Sequence, residues 1–187
     1  MEFDRDFSEF VALLARHDVR YMIVGGYALA AHGLPRATGD LDAWIWTDSA
    51  NADRLLAALD EFGFGGVGIE HDDLTSDDCV VQLGYPPYRI DLLTQISGVD
   101  FDAAWTRRIE VVLGGVVVPF IGRDDLLVNK RATGRPQDVA DVLRLTGNSP
   151  GDTDGSAGHP AGQSRPLGKP GSSYGDGSSH GVSTSSG

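Results

Sequence analysis

Residues 21–45 read YMIVGGYALAAHGLPRATGDLDAWI, and the fold turns on them. Residues 20–24 (RYMIV) are a short apolar run ending at Gly25-Gly26, the pattern of a strand running into a turn. Residues 27–32 (YALAAH) predict a short helix stopped by Gly33 and Pro35. Residues 40–47 (DLDAWIWT) then alternate as a strand. Leu41, Ala43, Ile45 and Thr47 share one face, and Asp40, Asp42, Trp44 and Trp46 share the other. Upstream, Phe7, Phe10, Val11, Leu13 and Leu14 recur at helical spacing and predict an amphipathic helix over 6–17. Downstream, Ser49 is expected to cap a helix over about 50–62. Residues 80–83 and 89–94 read as a strand pair across a turn at 84–87, and 111–121, broken by Gly114-Gly115, as a hairpin. Helices over 123–131 and 136–145 close the pattern. Helices and strands mix without regular βαβ alternation, so a mixed α/β (α+β) sheet flanked by helices is expected.

The apolar fraction, 41% of 187 residues, is enough for one packed core. The folded part is expected to span 1–147. Residues 148–187 hold 10 Gly, 10 Ser and 4 Pro among 40 positions, too little apolar surface to offset ordering entropy, and predict a disordered tail carrying His159 and His180. The formal net charge of −12 argues against non-specific duplex binding, which depends on Lys and Arg neutralising phosphates. A local basic patch is still possible around Arg123, Lys130, Arg131 and Arg135, although Asp124, Asp125 and Asp138 sit among them. No run of 18 apolar residues suggests a membrane span. The acidic start, MEFDRD, does not resemble a secretion signal. Cys79 is the single cysteine, which excludes an internal disulfide and fits a reducing, cytoplasmic setting.

The chemistry concentrates on three aspartates. Asp40 and Asp42 stand two apart on one strand, with Cβ atoms about 7 Å apart on the same side. That side also carries Trp44 and Trp46, a poor setting for bare charges. Asp91, in YRIDLL (88–93), lies within an apolar strand, where an ionised group needs a compensating cation. Mg²⁺ is held by one or two carboxylates plus substrate phosphates. Three aspartates from two strands could hold two such ions, which stabilise the attacking and leaving oxygens of a phosphoryl displacement. Taken alone, an Asp-x-Asp pair is more often a solvated strand edge. Gly25 and Gly26 stand where strand becomes helix, a place where backbone can approach a phosphate closely. Arg36 is within reach of phosphate or of Asp40.

With these residues in place, residues 21–45 resemble the DNA polymerase β-like nucleotidyltransferase superfamily, and within it the bacterial branch around the AbiEii and MenT-type toxins. Gly25-Gly26 matches the family's turn, Asp40 and Asp42 its Asp-x-Asp, and Asp91 its third aspartate. Lys130, Arg135, Asp138 and Asp141 look like the Lys–Arg–Asp signature of the toxin-like branch. The resemblance spans about 7–145. It implies metal-dependent transfer of a nucleoside monophosphate from an NTP such as ATP, with Mg²⁺ (or Mn²⁺) on Asp40, Asp42 and Asp91. Asp91 would also help deprotonate the acceptor hydroxyl. Gly25, Gly26, Arg36, Thr38, Lys130 and Arg135 would bind the nucleotide, with Lys130 also counted among the catalytic residues. The acceptor would be RNA such as tRNA, a protein or a small molecule, and an antitoxin would be a possible partner. The chain ends soon after Lys130, without the extra domain by which larger relatives hold acceptors, so an inactive nucleotide-binding module is the alternative.

Three other features carry less. Residues 63–68 (GFGGVG) fit G-x-G-x-x-G by letter, but a helix precedes them and no helical period follows, so they read as a helix end and turn. Asp72, Asp73, Asp77 and Asp78 read as a solvated loop. His32 and His71 read as packing or surface residues, and Cys79 as a small core residue.

Overall fold

The computed structural model describes residues 3–85 and 88–147. The expectations for the turn at Pro86-Pro87 and for the tail lie outside the described residues. Helix α1 (Arg5–Arg16) buries Phe7, Phe10, Val11, Leu13 and Leu14, the five positions its spacing singles out, and Asp4 caps it by accepting from the Asp6 N–H at 3.0 Å. Strand β1 (Tyr21–Ile23), helix α2 (Gly25–Ala31) and strand β2 (Asp40–Ile45) follow. The two glycines therefore open α2 and lie inside its first turn. Helix α3 (Ser49–Leu59) is capped by Asp48, not Ser49: the Asp48 side chain accepts from the Asn51 N–H at 3.1 Å. A π-turn at Asp60–Phe64 takes the place of the expected continuation to 62 and breaks at Gly63. Residues 65–70, the remainder of the glycine-rich stretch and its exit, form turn and coil, with no strand before them. The acidic segment is partly helical: α4 (His71–Thr75) contains Asp72 and Asp73, and Asp73 accepts from the Glu70 N–H at 2.9 Å.

Strands β3 (Val80–Leu83) and β4 (Arg89–Leu93) pair antiparallel as expected. The short helix α5 (Phe101–Trp105), capped by Asp100, was not legible as a helix because five residues give no period. Strands β5 (Ile109–Leu113) and β6 (Val116–Phe120) form the Gly114-Gly115 hairpin, and α6 (Arg123–Thr133) and α7 (Pro136–Thr146) pack on each other. The six strands make one mixed sheet in the order β3-β4-β2-β1-β6-β5, parallel at β2/β4 and β1/β6 and antiparallel elsewhere. Cys79 is only partly buried, and its N–H donates to Thr94 Oγ1 at 2.8 Å.

The alternation of β2 explains how charge survives beside a core. Leu41, Ala43 and Ile45 are fully buried. On the opposite face Trp44 is buried too, its ring edge-on to Phe101 at 4.9 Å, while Asp40 and Asp42 keep some exposure. That face is thus covered at its tryptophan end by α5 and open at its aspartate end. Such an aromatic pair adds about 0.5–1.5 kcal/mol beyond its buried area. Trp46 holds Arg20 against its ring, with the guanidinium carbon 4.2 Å from the centroid. The two tryptophans are engaged in packing, and the aspartates lie at the open end of the strand.

Candidate active site

The parallel register of β2 and β4 sets Asp42 opposite Asp91 and Asp40 opposite Arg89. Asp42, Asp91, Gly25 and Arg135 all line one cavity of about 810 Å³, within the range of small-ligand pockets. Val80, Leu93 and Ile96 give it an apolar wall, and Gln95, Asn129 and Thr133 supply uncharged polar groups. These six were not singled out by sequence, because they lie on four separate segments with no shared spacing.

The turn before α2 is built around Asp42. The Val24 N–H donates to the Asp42 carbonyl at 2.9 Å, tying the end of β1 to β2. Gly25 then adopts φ +63°, and a Cβ there would lie 1.9 Å from Asp42 Oδ2. Only glycine satisfies both the left-handed backbone and the carboxylate pressed against it. Gly26 is crowded by Thr38, whose side chain a Cβ would meet at 2.9 Å.

Burial, and then the charges of Asp91 and Asp40, push the Asp42 carboxyl up to about 6, with Arg135 and Arg89 pulling the other way. Asp91 is 7% exposed and its charge is answered by Arg89, whose Nε donates to Oδ1 at 2.7 Å and Nη2 to Oδ2 at 3.0 Å. Nη2 also donates to Asp40 Oδ2 at 3.0 Å. The compensating cation that Asp91 requires is therefore present in the chain. Sequence reasoning missed it, although Arg89 stands at i−2 from Asp91 on the same strand face.

Not every expected residue reaches the cavity. Thr38 and Arg36, with Gly26, line a smaller neighbouring cavity of about 390 Å³, and the Arg36 Nε is buried without a partner. Lys130 is 4% exposed, and its Nζ donates to Asp138 Oδ1 and Asp141 Oδ2, both at 2.8 Å. It ties α6 to α7 and is absent from the cavity wall, contrary to the expectation of phosphate contact. Asp138 also accepts from Thr133 Oγ1 at 2.7 Å and Arg135 Nε at 2.6 Å, so the Lys130 network steadies two residues that do line the cavity. His32 is a packing residue, its Nε2 2.9 Å from the Ile121 carbonyl oxygen, and His71 lies at the surface near Ser49.

The three aspartates do not form a three-carboxylate metal cage. Among the described residues no three carboxylate, histidine or cysteine side chains group closely enough to hold an ion. Arg89 bridges Asp40 and Asp91 by hydrogen bonds, reaching one oxygen of the first and both of the second. Asp42 and Asp91, facing each other without a shared donor, still fit one Mg²⁺ completed by substrate phosphates.

Among the described residues no helix is long and apolar enough to cross a membrane. No curated protein matches the chain significantly by sequence. Two solved structures are similar in fold. One, from Thermotoga maritima and assigned as a nucleotidyltransferase, has a TM-score of 0.53 at 14% identity, covering 76% of this chain and 91% of that one. The other, an antigenic nucleotidyltransferase-like protein from Paracoccidioides brasiliensis, has a TM-score of 0.44 at 18% identity, covering 75% and 74%. The first supports the mixed-sheet architecture. The family model described as nucleotidyltransferase of unknown function (DUF6036) matches residues 3–146, from the start of α1 to the end of α7, and the chain belongs to that family.

Proposed function

We propose that this chain transfers a nucleoside monophosphate from an NTP to an acceptor hydroxyl, releasing pyrophosphate. The observation that carries the reading is the apposition of Asp42 and Asp91 on neighbouring parallel strands, directly over the Gly25 turn. Asp42 and Asp91 would hold a divalent cation, Mg²⁺ or Mn²⁺, which supplies charge neutralisation for the triphosphate and Lewis-acid polarisation at phosphorus. Backbone at Gly25 and Gly26 lets the triphosphate approach closely, Arg135 faces its charge, and Arg36 and Thr38 extend the binding surface into the adjoining cavity. The acceptor oxygen forms the new bond to the α-phosphorus while the bond to the β-phosphate bridging oxygen breaks. Asp91 takes the acceptor proton. It accepts two bonds from Arg89, and a carboxylate has about four acceptor positions, so capacity remains. Lys130 acts through Asp138, as a positioning residue for Arg135.

The resemblance to the AbiEii and MenT-type toxins supports placing the chain in that branch, with RNA, a protein or a small molecule as acceptor and an antitoxin as partner. The test is a transfer assay with each labelled NTP and Mg²⁺, against total RNA and in protein-only reactions, with Asp42→Asn in parallel. Label in RNA or protein that disappears with Asp42→Asn is the expected result and names the acceptor class. Label undiminished by Asp42→Asn would sink the assignment. Nucleotide binding with no transfer to any acceptor would favour the inactive binding module.

A further inference from the structure

Arg36 is a cation left without a carboxylate. Arg89, Lys130 and Arg135 each donate to an aspartate. The half-buried Arg36 guanidinium makes no hydrogen bond or ion pair among the described residues, and its Nε is buried without a partner. An unmet donor of this kind calls for an occupant nearby. The cavity of about 390 Å³ that Arg36 lines with Gly26 and Thr38 lies near the small end of ligand pockets. Tyr27 and Pro35 add wall, and among the described residues no carboxylate lines it, so the cavity presents positive charge in a chain of net −12. The loop that carries Arg36 is anchored. Thr38 Oγ1 donates to the Asp40 carbonyl at 3.3 Å, and the Thr38 side chain closes on Gly26. Gly25 lines the larger cavity and Gly26 the smaller, so the two walls meet at a single peptide unit, ~3.8 Å between Cα atoms.

We infer that the Arg36 cavity seats the acceptor, and that it binds a phosphate ester beside the acceptor hydroxyl, from the end of a polynucleotide strand or from a free mononucleotide. This rests on the proposed function and gives its second cavity an occupant. Transfer between two substrates needs two sites side by side, with the attacking oxygen held in line with the leaving group. The larger cavity, with Asp42, Asp91 and Arg135, takes the triphosphate. The smaller adjoins it and carries one guanidinium fork, a group matched to phosphate through two parallel hydrogen bonds. One arginine balances the single charge of a phosphodiester. The cavity is too small for extended strand contact, which the acidity of the chain would in any case oppose. The transfer itself is unchanged: the acceptor oxygen bonds to the α-phosphorus, pyrophosphate leaves and the proton passes to Asp91.

The test is equilibrium binding to the full chain of a short labelled RNA with a free 3′ hydroxyl, and of AMP, each measured beside a non-hydrolysable NTP analogue with Mg²⁺. The RNA or AMP should bind with the analogue already in place. Arg36→Gln should weaken that binding by about tenfold or more, the scale of a lost charge-assisted hydrogen bond, and move the analogue by less than about threefold. RNA that AMP does not displace identifies a strand end as the acceptor; AMP bound where RNA is not identifies a mononucleotide. Binding of neither, displacement of either by the analogue, or an Arg36→Gln defect confined to the analogue would overturn the inference and leave the proposed function standing. An analogue that fails to bind the wild type would overturn the proposed function instead. Should Arg36→Gln fail to fold, Ala30→Phe, which narrows the same cavity and keeps the charge, decides: it should weaken the RNA or AMP and spare the analogue, and an effect on neither would overturn the inference.

Discussion

Asp42 carries the largest electrostatic conflict at the site. Its carboxyl titrates near 6 where an unfolded chain has 3.8, so between those values the folded state binds the proton and the unfolded state does not. Stability of the metal-free protein should accordingly fall as pH rises from about 4 to about 6, by at most about 3 kcal/mol at 1.36 kcal/mol per unit. Asp42→Asn removes the conflict. In EDTA at pH 7 it should melt above the wild type and show a flat profile across that window; an equal or lower Tm would count against the burial described. Gly25→Ala is the opposite experiment. It forces a side chain into the left-handed region and onto Asp42, and should cost about 1–3 kcal/mol of stability along with nucleotide affinity. Calorimetry with an NTP analogue would reveal a harmless substitution if the turn were not as tight as described.

At the scale of elements, the α6–α7 pair depends on charge buried where apolar contact would be expected. Lys130, Asp138 and Asp141 are nearly inaccessible. Burial alone would raise the Asp138 carboxyl, but hydrogen bonds from Lys130, Arg135 and Thr133 outweigh it and hold it down at about 2. A carboxyl depressed on folding contributes stability that is complete above its unfolded value of 3.8 and is lost as pH falls toward 2. Lys130→Met strands the buried Asp141 carboxylate and removes one of three donors to Asp138, and should destabilise by about 3–5 kcal/mol, read from the urea midpoint. A loss below about 1 kcal/mol, the range of exposed pairs, would mean the network is solvated.

Across the whole molecule, the family match ends at Thr146, where α7 stops before Gly147. Deleting 148–187 should leave the melting temperature and NMP transfer unchanged, and a drop in either would give those residues a part in fold or function. Much of the architecture was legible in advance because it is written in local patterns. The helical spacing of α1, the alternation of β2 and the Gly114-Gly115 hairpin each need only a few neighbouring residues to be recognised. What escaped was short or non-local. Five-residue α5 carries no period, and Asp48 displaced Ser49 as a cap by a single position.

The candidate site divides along the same line. Local pattern alone places two aspartates on one strand face, glycines at the start of the preceding helix and a third aspartate in an apolar strand, since periodicity and residue type suffice for each. That Asp91 faces Asp42, that Arg89 joins Asp91 to Asp40 and that Lys130 is buried between α6 and α7 follow from long-range packing. Those outcomes hang on strand register and helix packing. Both are set by how distant apolar faces fit together, and a shift of one residue in the register of β4 would turn Arg89 and Asp91 to the opposite face.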